Sequence, residues 1–373
     1  MILQSTIGEN VRLTHSLSHD EWEEMFDLAK KQALLGLAFE GVKKLPKEQW
    51  PQGDIVLKWT MATEQIKRQN LRTTNVCLRL NDILAKEGFD TCILKGQANH
   101  VYMIDGVSLG MQRVCGDVDA WIWPKEKMQH PVKSIIDYCQ RKNILISLCH
   151  LHAEVKPIGG VPIEIHFRPS FLNTPWRNRY FQKVFKSAVF ENAKIDDIGI
   201  VKKLRVDYDL IFQMNHIYRH LLDEGVGLRQ VFDFYVLLKD YNKERIVRKE
   251  LMGKEEIMKI ISSCGMKRFA TALMFVLKDI FHVGNDELIC GISEKDGLFL
   301  LNEIMMAGNF GHYDIRMNDI EVRKGKLSFQ LQRASRRFMR NLRFLSSYPE
   351  EVICEPFARV YHFVWRKFGL YRY

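Results

Sequence analysis

Three segments decide the fold: TCILKGQANH at residues 91–100, RVCGDVDAWIW at 113–123 and GGVPIEIHFRPS at 159–170. Cys92-Ile93-Leu94 is a short apolar run that Lys95-Gly96 breaks, the pattern of a buried strand ending in a glycine turn. Gln97 to Tyr102 suits a helix start, which would aim free backbone N–H groups at the turn. Val118, Ala120 and Ile122 alternate with Asp117, Asp119 and Trp121, so a strand there points both aspartates to one face. Ile163, Ile165 and Phe167 alternate with Glu164 and His166, and Gly159-Gly160 ahead of them signals a hairpin turn. Three carboxylates on two strands beside a glycine turn can hold hard divalent cations and phosphates.

The order Leu94-Lys95-Gly96, Tyr102, Arg113, Gly116-Asp117, Asp119, then Glu164 and His166, resembles the uncharacterised nucleotidyltransferase family often labelled type five. That family lies within the DNA polymerase beta-like superfamily, and the likeness runs from about Trp22 to about Leu238. The resemblance implies a transfer of a nucleoside monophosphate from an NTP to an acceptor hydroxyl, with release of pyrophosphate. It implies two magnesium ions, or manganese in their place, both bridged by Asp117 and Asp119, with Glu164 completing the site of the metal that activates the attacking hydroxyl. Lys95, Gly96, Gln97 and Arg113 become the phosphate candidates, and Arg229 and Asp233 match the family's helical region. Where the superfamily usually has glycine-serine or glycine-glycine after its first strand, this chain has Gly96-Gln97.

Outward from that core, the chain of 373 residues has room for two or three domains. The expected fold class is α+β, a small mixed sheet flanked by helical regions: 1–88 helical, 89–190 the nucleotidyltransferase core, 191–373 helical. The pattern from Asp20 to Leu45 has helical spacing, and a second long helix is expected from about Val56 to Lys86, ending at Gly88. Its interior of Gln, Asn, Arg and Thr means that one face is wet or lies against a ligand or another domain, solvent being the usual explanation. Residues 125–141 read as a helix that Pro131 must kink or break, and Ile144 to Val155 as one or two strands. Beyond Pro169 the strand signals fade. Asp207 to Lys239 is helical with a break at Gly225 to Gly227, followed by helices over 245–264, 266–282, 294–307 and 327–347 and a loop from Gly308 to Met317.

Bulk composition narrows the partners. A net charge of +10 favours polyanions: nucleotides, nucleic acid or an acidic membrane surface. The eight cysteines form no C-x-x-C pair and suit free thiols, no charged-then-apolar leader opens the chain, and no apolar run reaches membrane-spanning length. A cytoplasmic setting is expected.

Other residues admit alternatives. His216/His220 and Arg229/Asp233 are four apart on helix faces, so they form either a wall for a base or sugar or a structural Arg229–Asp233 ion pair. His150, His152 and Glu154, with Glu164 and His166, offer nitrogen and oxygen ligands for zinc and hence a hydrolase. Arg333 to Arg343 and Arg359 to Tyr373 interleave basic and aromatic residues, which suits RNA, an anionic surface or plain amphipathic helices. The main alternative to the enzyme is a catalytically silent nucleotide- or RNA-binding protein on the same fold. It is motivated by Gln97 and by Trp121 and Trp123 after the aspartates.

Overall fold

A computed structural model describes residues 1–8, 11–101, 103–104, 107–108, 110–195, 198–317 and 326–370. Tyr102 and residues 371–373 of the basic-aromatic stretch lie outside these.

The N-terminal part comprises α1 (Ile2–Thr6), α2 (His19–Lys31), α3 (Leu35–Lys43) and the long α4 (Asp54–Lys86). The Asp20–Leu45 pattern therefore makes two helices, separated where Ala33 adopts a left-handed φ of 56°. Trp59 of α4 is fully buried and stacks on Phe39, while Trp22 and Phe26 meet it edge-on. The polar interior of α4 is divided: Gln65, Arg68, Arg72, Asn75 and Arg79 are exposed, while a second set turns inward. Asn70, Thr73 and Thr74 are buried, and Asn70 Nδ2 donates to the carbonyls of Met111 at 2.8 Å and Arg113 at 2.7 Å. Those side chains hold the segment leading into Asp117, which explains a polar stripe on a helix that would otherwise be apolar there.

The sheet region follows as β1 (Phe89–Ile93), β2 (Met103–Ile104), β3 (Val107–Ser108), β4 (Val118–Pro124), α5 (Pro131–Arg141), β5 (Leu145–Leu148), β6 (His152–Ile158) and β7 (Val161–His166). Strand order in the five-stranded sheet is β1-β4-β7-β6-β5, with β4 and β7 parallel and the other pairs antiparallel. Gly159 and Gly160 turn from β6 to β7 at φ 57° and 78°, a left-handed pair that suits the twist of a tight hairpin. Pro131 starts α5 rather than kinking it, because its missing N–H is not needed in a first turn. One face of β4, Val118, Ala120 and Ile122, packs with Leu80 and Leu84 of α4 and Ile135 and Ile136 of α5.

Then come α6 (Pro175–Lys186) and an antiparallel hairpin, β8 (Phe190–Ile195) and β9 (Gly199–Leu204), in a stretch where no strands were expected. The alternation there is masked by a lysine on the buried side: Lys203 is buried and pairs with Glu191 at 2.9 Å. The helical remainder is α7 (Val206–Asp223), α8 (Leu228–Val247), α9 (Lys254–Ser263), α10 (Lys267–Phe281), α11 (Glu294–Ala307), α12 (Lys326–Leu345) and α13 (Pro349–Lys367). The fold class is α+β, as the sequence suggests. The main core joins α7, α8 and α10 to Leu94 and Cys92 beneath the sheet and to Leu34 and Leu37 of the N-terminal part. All eight cysteines are free thiols.

The expected break at Gly225 to Gly227 is a seat for a later segment. A Cβ at Gly311 would fall 2.0 Å from the carbonyl oxygen of Glu224, and one at Gly225 would fall 2.7 Å from the Gly311 nitrogen. Backbone meets backbone here, so neither glycine can be replaced without moving the chain. Gly308, Phe310 and Gly311 all have positive φ, and Phe310, at 54°, is strained for a residue of its size.

The C-terminal helix α13 is fastened by two histidines. His362 stacks on His150 with ring centroids 4.3 Å apart, beside Trp365, Phe171 and Tyr361. Burial, then Arg168, holds the His150 pKa down to about 2; burial, then Arg219, holds that of His362 at about 4. In the unfolded chain both titrate near 6.5. Their contribution is therefore fully present above that pH and is lost as pH falls from 6.5 toward 4. Urea unfolding should show a stability loss on the order of 2 kcal/mol between pH 7 and pH 5, discounting for solvent at His362. In His362→Phe that slope should flatten; an unchanged slope would refute the assignment.

Candidate active site

The parallel register of β4 and β7 places Asp119 opposite Glu164, and residues paired across adjacent strands face the same way. Asp117 stands two residues before Asp119 and turns to that face as well. One oxygen of each of Asp117, Asp119 and Glu164 lies within 4.8 Å of the others. Asp119 is buried and the other two are half-buried.

Two cations bind this cluster. Lys95, just past β1, sets its Nζ 3.1 Å from Asp119 Oδ2 and 3.8 Å from Asp117 Oδ2. Burial alone would lower the lysine pKa, but Asp119, Asp117 and Glu164 raise it above its ordinary value. His166 bridges Asp119 Oδ1 at 3.0 Å and Glu164 Oε2 at 3.2 Å. Its burial is likewise outweighed by those carboxylates, and its pKa rises to about 9. Burial would raise the Glu164 pKa, yet the His166 hydrogen bond and then His152 hold it at about 2, so it stays ionised. Three carboxylates against Lys95 and a protonated His166 leave one negative charge in excess. The donors are oxygens of the hard kind that magnesium prefers, so the residues fit a divalent cation.

A second group of donors, His152, Glu164 and His166, also lies within 4.8 Å. It shares Glu164 with the first, and zinc there would have to displace the proton that two carboxylates hold on His166. His150 is not part of it, being packed against His362. Glu154 pairs with Glu164 across β6 and β7 but is exposed.

The carboxylates open on a cavity of about 430 Å³, within the range of small-molecule sites. Lys95, Gly96, Arg113, Asp117 and Glu164 line one side; Gln213, His216, Arg229 and Asp233 from α7 and α8 line the other, with Asn309 and Phe310 between. The helix start expected after Lys95 is a 3-10 segment, Gly96–Val101. Gly96 reaches the cavity, but the Gln97 side chain does not. It turns to α4, 3.3 Å from Asn70 Oδ1 and 3.5 Å from Thr74 Oγ1.

The expected Arg229–Asp233 ion pair is replaced by another. Arg113 takes Asp233 in a fork, Nε to Oδ1 at 2.6 Å and Nη2 to Oδ2 at 2.7 Å, with both residues buried. The i, i+4 spacing was a true helix-face relation, yet a partner 120 residues away won because its planar guanidinium could meet both carboxylate oxygens. His216 lines the cavity with its ring over Phe212, and burial, then His220, drives its pKa well down, so it is neutral. Trp121 and Trp123 pack on each other and on Phe190, away from the cavity.

Asn99, Gln213, Asn309 and Phe310 carried no site signal in the sequence, apart from the glycines around Asn309. The basic residues of the C-terminal stretch are partly spent inside the fold. Arg340 donates to the carbonyls of Leu221 and Leu222, and Arg343 lies 3.6 Å from Glu303 and from Asp314. No helix among the described residues is long and apolar enough to cross a membrane.

A family model described as uncharacterised nucleotidyltransferase matches residues 18–282, well over half of the chain. No curated protein and no solved structure matches it.

Proposed function

This chain belongs to the uncharacterised nucleotidyltransferase family, and from that premise we propose a magnesium-dependent transfer of a nucleoside monophosphate from an NTP to an acceptor hydroxyl. The observation that carries the reading is the convergence of Asp117, Asp119 and Glu164 within 4.8 Å, with Asp117 and Glu164 on the wall of a cavity. The acceptor oxygen would attack the α-phosphorus, the bond from that phosphorus to the bridging oxygen would break, and pyrophosphate would leave.

Asp117 and Asp119 would hold magnesium, or manganese in its place, with Glu164 as the third ligand. The bound cations would lower the charge on the phosphoryl oxygens and favour ionisation of the attacking hydroxyl. Lys95 holds Asp119 and Asp117 in place and offers a point charge toward the phosphates. His166 fixes the carboxylates of Asp119 and Glu164 with one nitrogen. Positioning of this kind accounts for most of the rate in phosphoryl-group transfer. A cytoplasmic setting, where NTPs are plentiful, goes with this reading, and a hydroxyl on a small molecule, saccharide, protein or RNA would serve equally as acceptor.

A second reading is a catalytically silent nucleotide- or RNA-binding protein on the same fold. It is favoured by the Gln97 side chain, which is held by α4 and so does not offer its amide to a phosphate at the Gly96 turn. Calorimetry with each NTP, with magnesium and with EDTA, separates the two when run beside pyrophosphate release with water as default acceptor. The enzyme should bind NTP with magnesium and release pyrophosphate that EDTA abolishes. Equal binding in EDTA with no release from any NTP would leave only the binding protein.

A further inference from the structure

Two guanidiniums crowd one carboxylate on the cavity wall. Arg113 uses both oxygens of Asp233, so Arg229, which also lies within its field, has no carboxylate to itself. Its contacts are neutral: Nη1 donates to the Val114 carbonyl at 2.9 Å, and Nη2 reaches Asn309 Oδ1 at a weak 3.5 Å. Its Nε has no partner among the described residues, although only 8% of the residue is exposed. Burial, then the neighbouring Arg113, lowers its pKa to about 10, which still leaves it cationic at neutral pH.

A buried charge without a counter-ion is costly, and proteins retain one where a ligand supplies the missing charge. The Arg229 guanidinium lies 5.7 Å from the Phe310 ring, on the segment whose backbone is left-handed. Two adjacent N–H groups, Nε and the loosely held Nη2, form the planar fork that matches a phosphate. We infer that Arg229 is the receptor for a phosphate group of the cavity's ligand, the contact that the residue after Gly96 does not make. Where that phosphate belongs to the triphosphate of an NTP, the inference rests on the nucleotidyltransferase reading. A phosphate carried by the acceptor would satisfy the same fork.

The test is calorimetry without magnesium, titrating tripolyphosphate and, separately, glucose 1-phosphate into the full chain. Arg229→Met should weaken binding about 10- to 100-fold, and Arg229→Lys should recover part of it. Neither probe needs magnesium or turnover, so the inference stands or falls whether or not transfer is ever observed. Loss confined to tripolyphosphate assigns the fork to an NTP tail, and loss confined to glucose 1-phosphate assigns it to an acceptor. Binding by Arg229→Met equal to wild type, or no binding of either probe by wild type, overturns the inference whatever pyrophosphate release is seen. Should the methionine variant fail to fold, undiminished binding by the lysine variant overturns it equally.

Discussion

Asp117→Asn/Asp119→Asn is expected to lose magnesium-dependent pyrophosphate release by about 10³-fold or more. The substitutions keep shape but remove two negative charges. Glu164 would then face Lys95, and His166 would lose the Asp119 carboxylate that helps hold its proton, so the cluster loses its negative excess. A divalent cation would no longer be held. Because Asp119 is buried and bonded on both oxygens, a melting curve must accompany the assay so that misfolding is not read as chemistry. Wild-type turnover in a folded double variant would end the proposal that these carboxylates carry the reaction.

Asp233→Asn should lower stability by about 3–5 kcal/mol, the usual cost of breaking a buried ion pair from one side. The amide would leave Arg113 and Arg229 buried side by side with no anion between them. Arg113→Met/Asp233→Leu removes both partners and should cost much less than either single change. Urea midpoints for wild type, Arg113→Met, Asp233→Leu and the double variant close the cycle. Equal losses in the single and double variants would show that the pair contributes packing rather than charge.

Both expectations rest on residues that the sequence exposed to different degrees. Strand alternation is a local rule, and it put Asp117 and Asp119 on one face; that Glu164 shares the face comes from the parallel register of β4 and β7, which no local pattern reveals. The Gly159-Gly160 turn was legible from backbone chemistry, whereas Pro131 was read as a kink or break within a longer helix and in fact starts α5. Arg113 and Asp233 were visible as candidates, but their pairing was not, since nothing local links residues so far apart in the chain. The wet face expected on α4 is there, but its inward polar set, Asn70, Thr73 and Thr74, was not separable from it, because composition does not reveal whether water or a loop's carbonyls meet a helix face. The β8–β9 hairpin was hidden by buried Lys203, whose charge is met by Glu191 and so does not obey the apolar-inside pattern.

Asn309 and Phe310 reach the cavity from beyond residue 282, where the family match stops, and Gly311 docks them on the glycines between α7 and α8. The cavity's lining thus straddles that boundary. A fragment cut at the end of the match would keep Asp117, Asp119 and Glu164 but lose the Asn309 and Phe310 part of the cavity's lining.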